Sequence, residues 1–138
     1  MILLDTSGLL AALDGGQRLH REAAASLAAA GPPLLLSPFV LAELDYLLLA
    51  RVGATARADL LEEVTRSAYL LETMTGSDVA RAQAIIDHYA DLGISLADAS
   101  IVVLAERHRV NDVLTLDERH FRVLTVGGKP FRLLPADA

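Results

Sequence analysis

Short apolar runs alternate along this chain with longer stretches of helical periodicity. Ile2-Leu3-Leu4 reads as a first strand, and a short helix follows to about Leu13, stopped by Asp14-Gly15-Gly16. A second helix spans roughly Arg18 to Ala30, with Leu19, Ala23, Leu27 and Ala30 on one face, ended by Gly31-Pro32-Pro33. "LLLS" from Leu34 is strand two. Pro38 suits a first helical turn, and that helix runs to about Val52 before Gly53. Thr55 is placed to cap a helix to about Ser67, and "AYLLE" from Ala68 is strand three. Thr75 or Ser77 caps a long helix to Leu92, closed by Gly93. A helix from about Leu96 to His108, strand four in "DVLTLD" and strand five in "PFRLLP" complete the order. Strands alternating with helices predict an α/β fold with a parallel sheet covered on both faces. In such sheets the reactive crevice lies beyond the carboxyl ends of the strands.

That edge makes the acids informative. Asp5 ends strand one and Asp117 follows strand four. Taken singly, each is a helix cap or a turn residue. Glu43 has Phe39, Val40, Tyr46, Leu47 and Ala50 as its neighbours on the helix, an apolar stripe in which a glutamate is costly unless paired or metal-bound. Asp45 points elsewhere and reads as solvated. Asp98 also has apolar helical neighbours, Ile94, Ile101, Val102 and Ala105, and Ser95-x-x-Asp98 matches a capping box. Thr75-x-x-Asp78 and Thr115-x-x-Glu118 match it as well, so the pattern discriminates little here. Asp5, Glu43, Asp98 and Asp117 can all reach one crevice. Four carboxylates together require raised pKa values or a bound cation.

Bulk properties narrow the cation and the partners. The 138 residues suit one domain, 1–138, able to bury a core without staples. The chain has no Cys, which excludes disulfides and thiolate metal sites. Oxygen ligands alone point to Mg2+, with Mn2+ able to substitute. The four histidines, His20, His88, His108 and His120, show no ligand spacing, which argues against zinc. A net charge of −6 excludes a simple electrostatic nucleic-acid binder, so any contact with nucleic acid must be local. Eleven of the twelve basic residues are Arg, suited to phosphate; Arg119 and His120 beside Asp117 are candidates. The apolar fraction, 53%, leaves "LAELDYLLLA" and "LHREAAASLAAA" as candidate partner surfaces. No basic leader precedes the first apolar run, and Pro38, Glu43 and Asp45 interrupt the most apolar stretch, so a cytoplasmic protein is expected.

"LLDTSGLLA", "SPFVLAELDYLL", "ISLADASIVVLAERH" and "VLTLDERHF", in that order, resemble the motifs of the PIN-domain family, and specifically its VapC-type toxins. The resemblance covers essentially the whole chain. It implies a three-layer α/β/α fold with a roughly five-stranded parallel sheet. It also implies a Mg2+-dependent endoribonuclease, the toxin of a type II toxin–antitoxin pair, cutting a transfer RNA or a ribosomal RNA loop. The family's acidic quartet falls on Asp5, Glu43, Asp98 and Asp117. Asp5 and Asp98 would be the principal metal ligands, with Glu43 and Asp117 binding directly or through water. Thr6, Ser7 and Thr115 lie beside quartet members and are candidate supports for them, though capping explains them equally well. The implied partners are RNA, a cognate antitoxin and further copies of the chain, in a homodimer and a toxin–antitoxin hetero-oligomer, with no membrane. The alternative is a non-catalytic PIN-like interaction module whose acidic pocket binds an Arg-bearing partner. Two other Mg2+-using classes fit poorly: Asp5 lacks the adjacent acid of a receiver domain, and Asp5-Thr6-Ser7 lacks the D-x-D of a dehalogenase-type phosphatase.

Overall fold

β1 (Ile2–Leu4) is buried at every residue, and successive side chains of a strand point to opposite faces. Both faces of the sheet at β1 are therefore covered, as a three-layer α/β/α arrangement requires. The structure is a computed structural model that describes residues 1–138. Its sheet holds five parallel strands in the order β3 (Leu70–Leu71), β2 (Leu34–Leu36), β1, β4 (Asp112–Leu114), β7 (Arg132–Leu134). β1 pairs with β2 on one side and β4 on the other; Leu3 lies opposite both Leu35 and Val113. The chain winds outward from β1 through β2 to β3, then crosses back to β4 and on to β7. The winding direction thus reverses between β1 and β4, and the crevice of an open α/β sheet lies at such a reversal.

Seven helices accompany the strands: α1 (Thr6–Leu13), α2 (His20–Ala29), α3 (Pro38–Arg51), α4 (Ala54–Thr65), α5 (Gly76–His88), α6 (Leu96–His108) and the single turn α7 (Glu118–Phe121). Twenty-nine buried residues form one hydrophobic cluster that joins the central strands to these helices. α6 contributes its whole middle, Ala99 to Ala105, all buried. No helix is long and apolar enough to cross a membrane.

Several boundaries differ from the sequence expectation. The long helix expected to reach Leu92 ends at His88 and continues as a 3-10 turn over Ala90–Leu92, with Gly93 left-handed at φ 68°. Thr75, not Ser77, caps α5, in a full capping box with Asp78. Thr55 caps nothing: Gly53 takes the N-cap of α4 without a side-chain bond. β5 (Thr125–Val126) and β6 (Lys129–Pro130) form an antiparallel hairpin outside the main sheet, turned by Gly127 and Gly128 at φ 57° and 79°. Both central residues of that two-residue turn have positive φ, the conformation glycine adopts without strain.

Candidate active site and metal centre

Asp5 leaves β1 and is the N-cap residue of α1, and it is 4% exposed. Its Oδ2 accepts hydrogen bonds from Ser7 Oγ and Thr115 Oγ1, each at 2.7 Å. Those hydroxyls in turn accept from the chain after β4, Ser7 Oγ from Leu116 N at 3.0 Å and Thr115 Oγ1 from Asp117 N at 2.9 Å. Each hydroxyl accepts from one N–H and donates its single proton to Asp5. Ser7, in the first turn of α1, and Thr115, just past β4, thus hold Asp5 from two sides and favour its ionised form. Burial acts against them and is the larger influence, with Asp98 adding like-charge repulsion; the carboxyl is pushed up from 3.8 to about 6.

The close approach of α1 to β4 that makes this network depends on Gly8. A Cβ there would lie 2.2 Å from Leu114 O and 2.7 Å from Thr115 N, both backbone atoms. The seam between α3 and α6 is fixed by Ser37 and Ser100, both fully buried. Ser100 Oγ donates to Ala97 O at 2.6 Å, so the 2.6 Å contact with Ser37 Oγ is completed by the Ser37 proton. Ser37 also accepts from Phe39 N at 3.2 Å, capping α3. The turn that begins the Glu43 helix is thereby tied to the helix that carries Asp98.

Asp98 occupies the first turn of α6, where the capping box forms: its Oδ2 accepts from Ser95 N and its N–H donates to Ser95 Oγ, each at 3.0 Å. Capping and a place in the cleft are thus compatible for this residue. Asp117 caps α7, accepting from His120 N through Oδ1 at 3.0 Å, which leaves Oδ2 beside the His120 ring. The Thr115-x-x-Glu118 box does not form. Thr115 bonds Asp5 instead, and Glu118 pairs with Arg122.

One cleft of about 360 Å3 at the β1/β4 reversal is lined by Asp5, Glu43, Asp98 and Asp117 together, with Thr6 and Ser7. Glu43 reaches it by a different route from the one expected. The buried row of α3 is Val40, Leu44 and Leu48. The row through Glu43 lies on the adjacent flank; Glu43 is exposed and Tyr46 is 70% exposed. No burial cost holds Glu43, only its position at the cleft. Asp45 is not free in solvent, because it pairs with Arg57 at 2.5 Å and joins α3 to α4.

The donor set fits a divalent cation on two observations. The ligand atoms of Asp98, Asp117 and His120 lie within 4.8 Å of one another. Thr6 Oγ1 and His120 Nδ1 are buried in the same cleft without hydrogen-bond partners, and buried polar atoms ordinarily have one. His120 Nδ1 is 2.8 Å from Asp117 Oδ2, but the geometry is not that of a hydrogen bond. The sequence presents His120 as a phosphate contact, and no histidine has a neighbour at metal-ligand spacing. The usable signal was Asp117-x-x-His120, one helical turn after a strand end. Arg51, in the last turn of α3, and Gln17 also line the cleft, whereas Arg119 is exposed outside it.

A PIN-domain profile matches residues 2–125. The chain is 38% identical over 135 residues to Ribonuclease VapC26 of Mycobacterium tuberculosis, spanning 97% of this chain and all of that protein. The fold matches the crystal structure of VapC20 of M. tuberculosis, a sarcin–ricin loop cleaving toxin, with a TM-score of 0.79 over 85% of this chain and 90% of that one, at 22% identity. FitAcB from Neisseria gonorrhoeae matches with a TM-score of 0.58, covering 86% of this chain and 88% of that chain, at 26% identity. The buried Asp5 beyond β1 and the carboxylates that meet it at the reversal of an α/β sheet accord with these matches: the chain belongs to the PIN-domain family.

Proposed function

We propose that the protein is a Mg2+-dependent endoribonuclease acting as the toxin of a VapBC-type pair. The observation that carries this reading is the convergence of Asp5, Glu43, Asp98 and Asp117 on one cleft that contains a single guanidinium, Arg51. Asp5 and Asp98 are the principal ligands of the ion, assisted by Asp117 and Glu43. The ion supplies positive charge at the scissile phosphate and acidity to water. Ser7 and Thr115 hold Asp5 in place, so that its carboxylate would be oriented toward a bound ion. Glu43, exposed at the cleft, orients the attacking water. Arg51 takes an RNA phosphate at the cleft mouth. Attack on phosphorus by water in line with the leaving oxygen gives 5′-phosphate and 3′-hydroxyl ends. The substrate is a structured RNA, a transfer RNA or ribosomal RNA loop, recognised by shape. A cognate antitoxin restrains the enzyme by covering the cleft, in a hetero-oligomer built on a toxin homodimer in the cytoplasm.

The test is cleavage of a total-RNA preparation by the purified protein, with Mg2+ or with EDTA, followed by mapping of the product ends. Cleavage only with Mg2+, leaving 5′-phosphates, supports the reading. Products with 2′,3′-cyclic phosphates, or undiminished cutting in EDTA, would overturn it. Intact RNA from wild type and Asp5→Ala alike, with an Arg-bearing partner still bound, would establish the interaction-module alternative.

A further inference from the structure

We infer that His120 is a metal ligand, so that Asp98, Asp117 and His120 form a mixed nitrogen–oxygen subsite of the cleft that holds a first-row transition ion more tightly than Mg2+. The inference rests on the metal-dependent reading above and goes beyond its all-oxygen ligand set.

The distances around His120 are those of ligands around a common ion. Nδ1 lies 2.8 Å from Asp117 Oδ2 and 3.5 Å from Asp98 Oδ2. Adjacent ligands about 2.1 Å from one ion lie about 3 Å apart. Nδ1 is buried and forms no hydrogen bond although two carboxylate oxygens stand beside it. An ion shared by Nδ1 and those two oxygens accounts for that arrangement. Thr6 Oγ1 is a second buried polar atom without a partner at the same cleft, on a residue only 5% exposed.

The carboxylates are already set for this role. Asp117 spends Oδ1 on the His120 N–H and keeps Oδ2 toward the ring. Asp98 is pinned by the Ser95 N–H. His120 sits on the same short helix that Asp117 caps, so ring and carboxylate are fixed relative to each other by one turn of backbone. The remaining histidines are committed elsewhere or lie outside the cleft: His20 Nδ1 contacts Ala11 O, His108 pairs with Glu72, and His88 packs edge-on against Tyr89. Imidazole is a borderline donor that suits transition ions, whereas Mg2+ prefers oxygen. The subsite should therefore discriminate against Mg2+.

The experiment is pulsed electron paramagnetic resonance of Mn2+ bound to the full-length protein, with calorimetric titration of Mn2+ and Mg2+. Wild type should show nitrogen modulation from one imidazole, and labelling with 15N-histidine should change it. His120→Gln should abolish the modulation and weaken Mn2+ on the order of tenfold or more, with Mg2+ affected far less. Bound Mn2+ without nitrogen modulation in wild type would overturn the inference, as would equal Mn2+ affinity in His120→Gln. The labelled wild-type spectrum decides the question even if the variant fails to fold. Metal-dependent RNA cleavage without nitrogen coordination would sink this inference and leave the proposed function standing. Nitrogen coordination without cleavage would do the reverse.

Discussion

The concavity between α5, α6 and the β5–β6 hairpin is larger than the carboxylate cleft, about 530 Å3 against about 360 Å3, and it too carries charge. Its acid, Glu106, is paired with Arg81 in the same wall through two hydrogen bonds, at 2.7 and 3.1 Å. That pairing raises the Arg81 pKa. At the β1/β4 cleft the sign is opposite: burial pushes Asp5 up to about 6, and the surrounding carboxylates have only Arg51 and His120 among them as basic side chains. Volume favours the other hollow and so does not mark the cation site. Uncompensated charge marks it instead.

The comparison breaks first if removing charge has similar effects in both places. Asp5→Asn or Asp98→Asn should lower RNA cleavage on the order of a hundredfold or more. Glu106→Gln should leave the cleavage rate within about twofold, because Glu106 lies outside the carboxylate cleft. Rates measured side by side on one RNA check this.

Gly8→Ala probes the geometry beneath the cleft. The new methyl would overlap the Leu114 carbonyl and part α1 from β4, separating Ser7 from Thr115. A loss of about 2–3 kcal/mol in urea denaturation is expected, with cleavage falling as well. An Ala at this position with unchanged stability would mean that the close approach is not needed.

Asp5 itself makes the stability pH-dependent. Its folded pKa, about 6, exceeds the ordinary 3.8, so folding favours the protonated form. This contribution is fully present below about 4 and is lost as the pH climbs to about 6, a cost of about 3 kcal/mol above that. Asp5→Asn removes the charge but accepts more weakly from Ser7 and Thr115. The metal-free variant should therefore be more stable than wild type by about 1–2 kcal/mol at pH 7.5, with the advantage gone at pH 4. Urea midpoints at the two pH values measure it, and a wild type that is the more stable at pH 7.5 would contradict it. The smallest effect belongs to the other hollow: Arg81→Gln breaks a largely exposed ion pair and should cost under about 1 kcal/mol at any pH between 5 and 8.

The sequence carried much of this contrast but not all of it. The runs at Ile2, Leu34, Val113 and Leu133 are legible as buried parallel strands because both faces are covered and apolar residues need not alternate. Asp5 and Asp117 were legible because they stand just past such runs. Glu43 lines the cleft with the other three acids, but not from the buried stripe that the sequence suggests. α3 has more apolar residues than its core face can use, so composition cannot say which row is buried, and packing chose Val40, Leu44 and Leu48. The Asp45–Arg57 and Arg81–Glu106 pairs join different helices, and local spacing holds no trace of them. The β5–β6 hairpin had a local signal, Gly127-Gly128, overshadowed by the apolar run that follows. His120 was hidden because Asp98, whose carboxylate stands beside its ring, is brought to it by tertiary structure.

The most direct test of the charge account is a calorimetric Mg2+ titration of the metal-free protein at pH 6, in two buffers of different ionisation heat. If the cleft is an uncompensated anionic site, Mg2+ binds and displaces part of a proton from Asp5. The release fades by pH 8 and is absent in Asp5→Asn. Mg2+ that binds with no proton release at pH 6, or binds equally well to Asp5→Asn, would contradict it.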